Sequence, residues 1–244
     1  MNLLAALASV RIFPRKASHQ TLTTRWGKAL DPQHILEEYP RPQMIRDQYI
    51  NLNGEWNYTV LSEKNTIIKE GTLLVPFSPE APLSGAGFQL KPREKMLCER
   101  LLSVKRLPSD GSRCILHFGA VDQYAKVLVN GKVVVSHIGG YLPFSADITD
   151  ALQVGCNTLT VHIEDRSDTS YHSVGKQKLK RGGMFYTAQS GIWQTVWMEW
   201  VPAVYVKKLE LTPLYEKETV HVSLLLNHPI SGCSDAEAVV CHVR

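Results

Sequence analysis

The sequence lacks several features that would point to common classes of protein. Its longest apolar run, residues 3–10 of 244, is far short of the roughly 18 residues that a membrane helix needs, so no membrane partner is expected. No P-loop, G-x-G-x-x-G or G-x-S-x-G motif occurs. Glycine and proline number 16 and 13, an ordinary share that excludes collagen-like and low-complexity chains. A 27.4 kDa chain of this composition is expected to be globular, with a sizeable core.

Metal-binding and redox signals are equally sparse. The five cysteines form no C-x-x-C pair and leave one over, which argues against a disulfide framework and against a zinc site. His117, His137 and His162 lack H-x-H or H-E-x-x-H spacing, so neither a metal nor any other cofactor is predicted. The formal net charge is +4, and only residues 176–181 cluster basic side chains, so no nucleic-acid partner is predicted.

The N-terminal thirty residues carry five basic residues and no acidic one. Such a segment fits an organelle transit peptide, a weak secretory signal, a disordered leader or a misassigned start codon. Localisation therefore stays open, with the cytoplasm slightly favoured. We predict a disordered leader over residues 1–38.

From residue 40 onward the sequence has the pattern of a β protein. Residues 157–165 alternate apolar and polar side chains, the period of a half-buried strand. Asn130-Gly131 lies between two apolar runs, which predicts a tight hairpin. Residues 113–119 and 191–201 are apolar on both faces, as in strands buried within a sandwich. Further short strands are predicted at residues 55–61, 72–75 and 97–105, which together favour an antiparallel sandwich or jelly roll.

A second unit is predicted after Pro202. Two further strands, in residues 203–214 and 219–229, are joined by the polar turn "YEKE". An immunoglobulin-like sandwich needs about 100 residues, and only some 40 follow Pro202. We expect either a β appendage or, as the favoured interpretation, the first strands of a sandwich that this chain does not complete.

Three long motifs identify a family. They are "YPRPQMIRDQYINLNGEWNY", "FGAVDQYAKVLVNGKVVVSHIGGYLPFSADITDAL" and "GKQKLKRGGMFYTAQSGIWQTVWMEWVP". From about Tyr39 to Val201 the chain resembles the N-terminal sugar-binding domain of family 2 glycoside hydrolases, which include β-galactosidases, β-glucuronidases and β-mannosidases. The resemblance implies a jelly-roll (galactose-binding-like) β-sandwich over residues 39–202, followed over residues 203–244 by an incomplete immunoglobulin-like β-sandwich.

The same resemblance implies a catalytic barrel that this chain does not contain. In the family a Glu acid/base and a Glu nucleophile lie in that barrel, which would begin beyond Arg244. The chain alone is therefore predicted to be inactive, and whether it belongs to an enzyme is left open. The implied partners are a β-glycoside carbohydrate, the missing barrel domain and, in the full-length protein, a second copy of itself.

The segment from Asp165 to Trp193 is the candidate site. A loop of over twenty residues between two strands is usually functional or disordered, and this one is rich in aromatic and amide side chains. The resemblance implies that the loop borders the sugar pocket, and the alternative is that it only packs domain against domain. The candidate substrate-binding residues are Asp165, Gln177, Phe185, Tyr186 and Gln189.

Other features bear on this assignment. Where some relatives have a sugar-contacting Asp, the resemblance places Phe185, which puts galactose-type recognition in doubt. Asp122 is expected to bond nearby backbone amides rather than to act as an acid. Glu164 and Asp165 should point to opposite faces of their strand, so they cannot flank one bond. A stand-alone carbohydrate-binding module and an inactive remnant remain alternatives to the glycosidase fragment.

Overall fold

The computed structural model describes residues 23–109 and 111–228, which form an all-β protein. Residues 23–30 are a separate unit with one short helix, and within the described ranges no helix is long and apolar enough to cross a membrane. The elements in chain order are α1 (Arg25–Lys28), β1 (Tyr49–Asn51), β2 (Gly54–Leu61), β3 (Ile67–Val75), β4 (Lys95–Val104), β5 (Arg113–Phe118), β6 (Val121–Asp122), β7 (Tyr124–Val129), β8 (Lys132–Ile138), β9 (Phe144–Asp147), β10 (Gly155–Glu164), β11 (Gln177–Lys178), β12 (Tyr186–Thr187), β13 (Gly191–Ile192), β14 (Val196–Val201), β15 (Val206–Leu214) and β16 (Thr219–Leu226).

The larger sheet has six antiparallel strands in the order β3-β2-β4-β10-β7-β8. Its inner face follows the predicted alternation, because Leu159, Val161 and Ile163 of β10 are fully buried while the residues between them are not. The predicted hairpin joins β7 to β8 through Asn130 and Gly131, both at positive φ as a type I′ turn requires. These sequence predictions are confirmed.

The smaller sheet has the antiparallel order β1-β14-β5-β9 and packs its inner face on the larger one. Its two central strands, β5 and β14, are buried on both faces, as their apolar sequences predict. The outer face is covered by the segment of residues 31–46, in which Ile35 is buried and Tyr39, Arg41 and Arg46 contact Glu199. The two sheets and this covering segment form the sandwich.

The predicted long loop contains more structure than its sequence indicates. It begins with a 3-10 turn at Ser167–Thr169. β11 then pairs in parallel with β12, and β13 pairs with β6. β13 and β14 were predicted as one strand, but residues 193–195 separate them, and β13 forms a two-stranded sheet with β6 while β14 lies in the smaller sheet of the sandwich. The correction has a local cause, because the Val196 N–H bonds the buried Asn53 side chain while Gly191 and Ile192 pair with β6.

After Pro202, β15 and β16 form the predicted antiparallel hairpin, with a bulge near Val206. Many of its apolar side chains are exposed, including Leu211, Val220 and Leu225. The predicted boundaries at residues 38 and 202 stay predictions. Cys98 and Cys114 are free and buried, whereas Cys156 is free and exposed, and Cys233 and Cys241 lie outside the described residues.

Candidate functional site

The candidate site lies at one end of the sandwich, where β6, β13 and the end of β10 meet the long loop. Asp122 ends β6 opposite Gly191, and Asp165 directly follows β10. Glu80 reaches the same place from the segment after β3, since its carboxylate bonds Ser190. Residues far apart in sequence are thus brought together because three different strands end here.

Asp122 is the least compensated carboxylate of this group. It is 7% exposed, and in the described part of the chain its side chain accepts no hydrogen bond. Burial, with the charges of Asp165 and Glu80 adding to it, raises the pKa of Asp122 to about 7. The expected bonds to backbone amides are therefore absent, and this prediction was wrong. Gly140 packs so closely against the carboxylate that a side chain there would collide with it.

Asp165 and Glu80 are better supported. Asp165 is 3% exposed, and its Oδ1 accepts the Ser167 N–H at 2.6 Å. Glu80 accepts hydrogen bonds from both the Ser190 N–H and hydroxyl, at 3.0 and 2.7 Å, and from the Leu90 N–H at 3.1 Å. Burial nevertheless raises the pKa of both carboxyls above its usual range. All three acids of this group therefore keep their protons to a higher pH than ordinary carboxyls do.

Amide and aromatic side chains of the long loop complete the site. Gln177 Oε1 accepts the Gln189 N–H at 2.6 Å, and Gln177 Nε2 donates to the Tyr141 hydroxyl at 3.4 Å. The Ser78 hydroxyl bonds Gln189 Oε1. Burial, with the charges of Asp122 and Asp165, raises the pKa of Tyr141, so the hydroxyl stays protonated near neutral pH. Gln177 and Gln189 are therefore held as a pair beside the acids.

Phe185 and Tyr186 lie further out. Lys178 Nζ sits 4.1 Å from the centre of the Phe185 ring, and the Tyr186 side chain is 70% exposed. Among the described residues, no hydrogen bond or ring contact joins either side chain to the acids. The structure thus gathers Asp165, Gln177 and Gln189 and leaves the two aromatic candidates on the outer surface of the loop.

A second buried carboxylate, Glu199, lies on the outer face of the smaller sheet. It accepts hydrogen bonds from the Tyr39 hydroxyl at 2.7 Å and from His117 Nε2 at 3.0 Å, and it pairs with Arg41 and Arg46 at 3.5 and 3.4 Å. Burial alone would raise its pKa, but the bonds from His117 and Tyr39 and the charge of Arg41 bring that pKa below the usual range. Glu199 therefore links the covering segment to the smaller sheet, and both of its carboxylate oxygens are already engaged by protein partners.

Sequence reasoning missed Asp122, Glu80, Gln123 and Tyr141. Gln123 is 1% exposed, and neither its Nε2 nor its Oε1 has a partner in the described chain. The signal that could have found this group is the "VDQY" step itself, in which two polar residues interrupt otherwise buried strands. Together these side chains offer donors and acceptors for hydroxyl groups, with Asp122 able to do either near pH 7.

The fold defines a β-sandwich domain, and the family comparison describes part of it as a sugar-binding domain. The sequence profile "Glycosyl hydrolases family 2, sugar binding domain" matches residues 94–202. The chain is 31% identical over 157 residues to β-glucuronidase of Homo sapiens, and 31% identical over 99 residues to β-galactosidase of Thermoanaerobacter pseudethanolicus. These alignments cover 57 and 40% of this chain, but only 23 and 12% of those curated relatives.

Solved structures agree. β-Glucuronidase of Faecalibacterium prausnitzii superposes with a TM-score of 0.55 at 21% identity, covering 78% of this chain and 37% of that one. A Bifidobacterium dentium β-glucuronidase complexed with coumarin-3-O-glucuronide gives 0.52 at 23% identity, covering 69 and 33%. At such identities these likenesses show a shared fold. The matched sugar-binding domain and the curated relatives support membership of glycoside hydrolase family 2, as the sequence motifs indicated.

Proposed function

We propose that this chain is the N-terminal part of a glycoside hydrolase that acts on terminal β-linked sugars. In this proposal the catalytic carboxylates lie outside these 244 residues, and the chain supplies one wall of the sugar pocket. The observation that carries it is the acidic group formed by the buried Asp122 and Asp165 and the half-buried Glu80, held beside the paired amides of Gln177 and Gln189.

The chemistry of this group suits a polyhydroxylated ligand. A carboxyl with a pKa of about 7 can donate to one hydroxyl or accept from another, and the Tyr141 hydroxyl and the amides can do the same. The group does not supply the two carboxyls, one acid and one nucleophile, that flank a bond during retaining hydrolysis. Burial raises the pKa of all three acids, so the group has no carboxylate whose pKa is held low, as that of a nucleophile would be. Its role is therefore binding and orientation.

The exposed apolar side chains near the site fit a neighbouring domain. Leu142, Met184 and Tyr186 are each at least 66% exposed and lie on the two segments that frame the site. We infer that they pack on the barrel, while the exposed hairpin of β15 and β16 begins the immunoglobulin-like sandwich. The domain boundaries at residues 38 and 202 belong to this proposal, as do the outward positions of Phe185 and Tyr186 beside the bound glycoside.

The proposal is tested on the protein as it occurs in its source. An antibody raised against this chain would isolate it for intact mass and for assays with nitrophenyl β-glucuronide, β-galactoside and β-mannoside. We expect a mass well above 27.4 kDa and hydrolysis of at least one substrate. A 27.4 kDa species without hydrolysis would leave only a binding module or an inactive remnant.

The role of the site is tested by substitution in that same protein. Gln177→Ala removes an amide that positions Gln189 and Tyr141, and we expect KM to rise about tenfold with a smaller change in kcat. Glu216→Gln, on the exposed turn between β15 and β16, is the matched control and should change neither parameter. An unchanged KM in Gln177→Ala would remove this wall of the pocket from the proposal.

A further inference from the structure

A separate cavity of about 550 Å3 lies on the outer face of the smaller sheet. The covering segment of residues 31–46 closes this face only in part and leaves the cavity beside it. Its lining includes Glu38, Arg41, Tyr141, Ser145, Gln194 and Trp197. The proposed glycosidase function does not require this cavity.

The charges around the cavity are balanced. Arg41 and Arg46 both pair with Glu199, and Glu38 adds a second negative charge at the rim. His117 adds none, because burial lowers its pKa. The Arg41 guanidinium can only donate to His117 Nδ1, at 3.1 Å, so the proton of the neutral ring is on Nε2 and bonds Glu199. A cavity with this balance favours an uncharged ligand.

The polar groups left over are both donors and acceptors. The Arg41 side chain remains 28% exposed although two of its nitrogens are engaged. Glu38 offers acceptor oxygens. Gln194 is exposed, and its amide can both donate and accept hydrogen bonds. Gly119 lets Gln194 lie this close, since a side chain at Gly119 would collide with Gln194 Cβ. Such a set matches the hydroxyl groups of a sugar.

An aromatic surface is available for the apolar face of the same ring. Tyr141 is 41% exposed and is fixed edge-on against Trp193, with ring centres 6.0 Å apart. Trp193 in turn donates its Nε1–H to the Gly140 carbonyl at 2.8 Å. The ring is therefore held in place before any ligand arrives, which lowers the entropic cost of stacking a sugar on it.

We propose that this cavity is a second carbohydrate-binding pocket, which takes one uncharged sugar unit stacked on Tyr141 and hydrogen-bonded by Arg41, Glu38 and Gln194. Tyr141 also contacts Gln177, so the pocket adjoins the candidate site through a single residue. The pocket would hold a neutral part of a longer carbohydrate whose terminal sugar lies elsewhere.

Binding is measured on the 244-residue chain by titrating the 15N-labelled protein with lactose, cellobiose or mannobiose. The Trp197 indole peak, assigned with Trp197→Phe, should shift and saturate with at least one neutral disaccharide. Methyl β-glucuronide should bind more weakly, because the carboxylate meets Glu38 and finds no unpaired cation in the described lining. Absence of any saturable shift, or a shift with the glucuronide alone, would overturn the proposal.

Substitutions then locate the binding. Tyr141→Ala should weaken it at least about tenfold, and Tyr141→Phe should restore it because the ring is kept. Tyr215→Ala, at a 91% exposed tyrosine on the distant hairpin turn, is the matched control and should bind normally. Equal losses in Tyr215→Ala and Tyr141→Ala would refute the pocket. The titration detects binding without hydrolysis, so a negative glycosidase assay would not refute this pocket. Likewise, an absence of disaccharide binding in the pocket would not refute the glycosidase proposal.

Discussion

Two carboxylates of this protein are similarly buried, but their pKa values shift in opposite directions. Glu199 is 0% exposed and Asp122 is 7% exposed, yet the pKa of Glu199 is lowered and that of Asp122 is raised to about 7. The difference lies in their partners. Glu199 has Tyr39, His117, Arg41 and Arg46 around it, while the nearest charges to Asp122 are other acids.

The comparison separates a structural role from a binding role. A carboxylate whose acceptor capacity is filled by the protein stabilises the fold and has nothing left for a ligand. A buried carboxyl left without hydrogen bonds costs stability, and such groups are found where function needs them. On this reasoning we propose that the binding site lies at Asp122, whereas Glu199 links the covering segment to the smaller sheet.

The largest expected effect comes from removing Glu199, the carboxylate that has charged and hydrogen-bonding partners. Glu199→Ala leaves Arg41 and Arg46 without their shared partner, and we expect the free energy of unfolding to fall by about 3 to 5 kcal/mol. Urea unfolding at pH 7 measures it. Glu216→Ala, an exposed acid on the hairpin turn, serves as the control with no change expected. A loss below about 1 kcal/mol in Glu199→Ala would show that the network contributes little.

The second prediction is a gain in the free energy of unfolding rather than a loss. The Asp122 pKa is about 7 in the fold and about 3.9 in an unfolded chain. Between these values the native state binds a proton that the unfolded state lacks, so stability falls as pH rises from 4 through 7. Asp122→Asn removes this loss, and at pH 8 it should be more stable than the parent by up to about 4 kcal/mol.

The difference in stability between Asp122→Asn and the parent should disappear in acid, which makes the test more specific. At pH 4 the parent carboxyl is protonated in the native state, so Asp122→Asn should match the parent in urea unfolding. A variant that is destabilised at pH 8 would mean that the ionised carboxylate has partners after all, and would contradict the contrast with Glu199.

The smallest of the three effects concerns the packing around Asp122. A methyl group at Gly140 would collide with the Asp122 carboxylate, so Gly140→Ala should cost about 1 to 3 kcal/mol and displace the acid. Thermal unfolding measures the cost. The double variant with Asp122→Ala should regain most of it, because the clash is then relieved; no recovery would place the strain elsewhere.

The sandwich strands were predictable because they carry strong local patterns. β10 alternates over ten residues, and Asn130-Gly131 determines its hairpin by backbone geometry alone. β6, β11, β12 and β13 have two residues each, too few to show any period, so the order within the long loop was missed. Gln177 and Gln189 were selected by residue type, their role in binding stays a prediction, and their hydrogen bond is visible only in the fold.

The acidic group was not predictable from sequence spacing. Glu80 and Asp122 are separated by 42 positions, and only the pairing of β6 with β13 and the bond from Glu80 to Ser190 bring them to one place. Asp122 was expected to bond backbone amides, which is the usual fate of an Asp in a turn. Likewise, nothing in the apolar sequences of β5 and β14 indicated that His117 and Glu199 would meet.

The most direct test is a carboxyl 13C titration of the 244-residue chain labelled at Asp and Glu, with Asp122→Asn and Glu199→Gln assigning the two signals. The account predicts that the Asp122 carboxyl titrates near pH 7, whereas Glu199 stays ionised until the pH falls below 4.5, its ordinary pKa. An Asp122 signal that is already ionised at pH 5 would contradict the distinction between a binding carboxyl and a structural one.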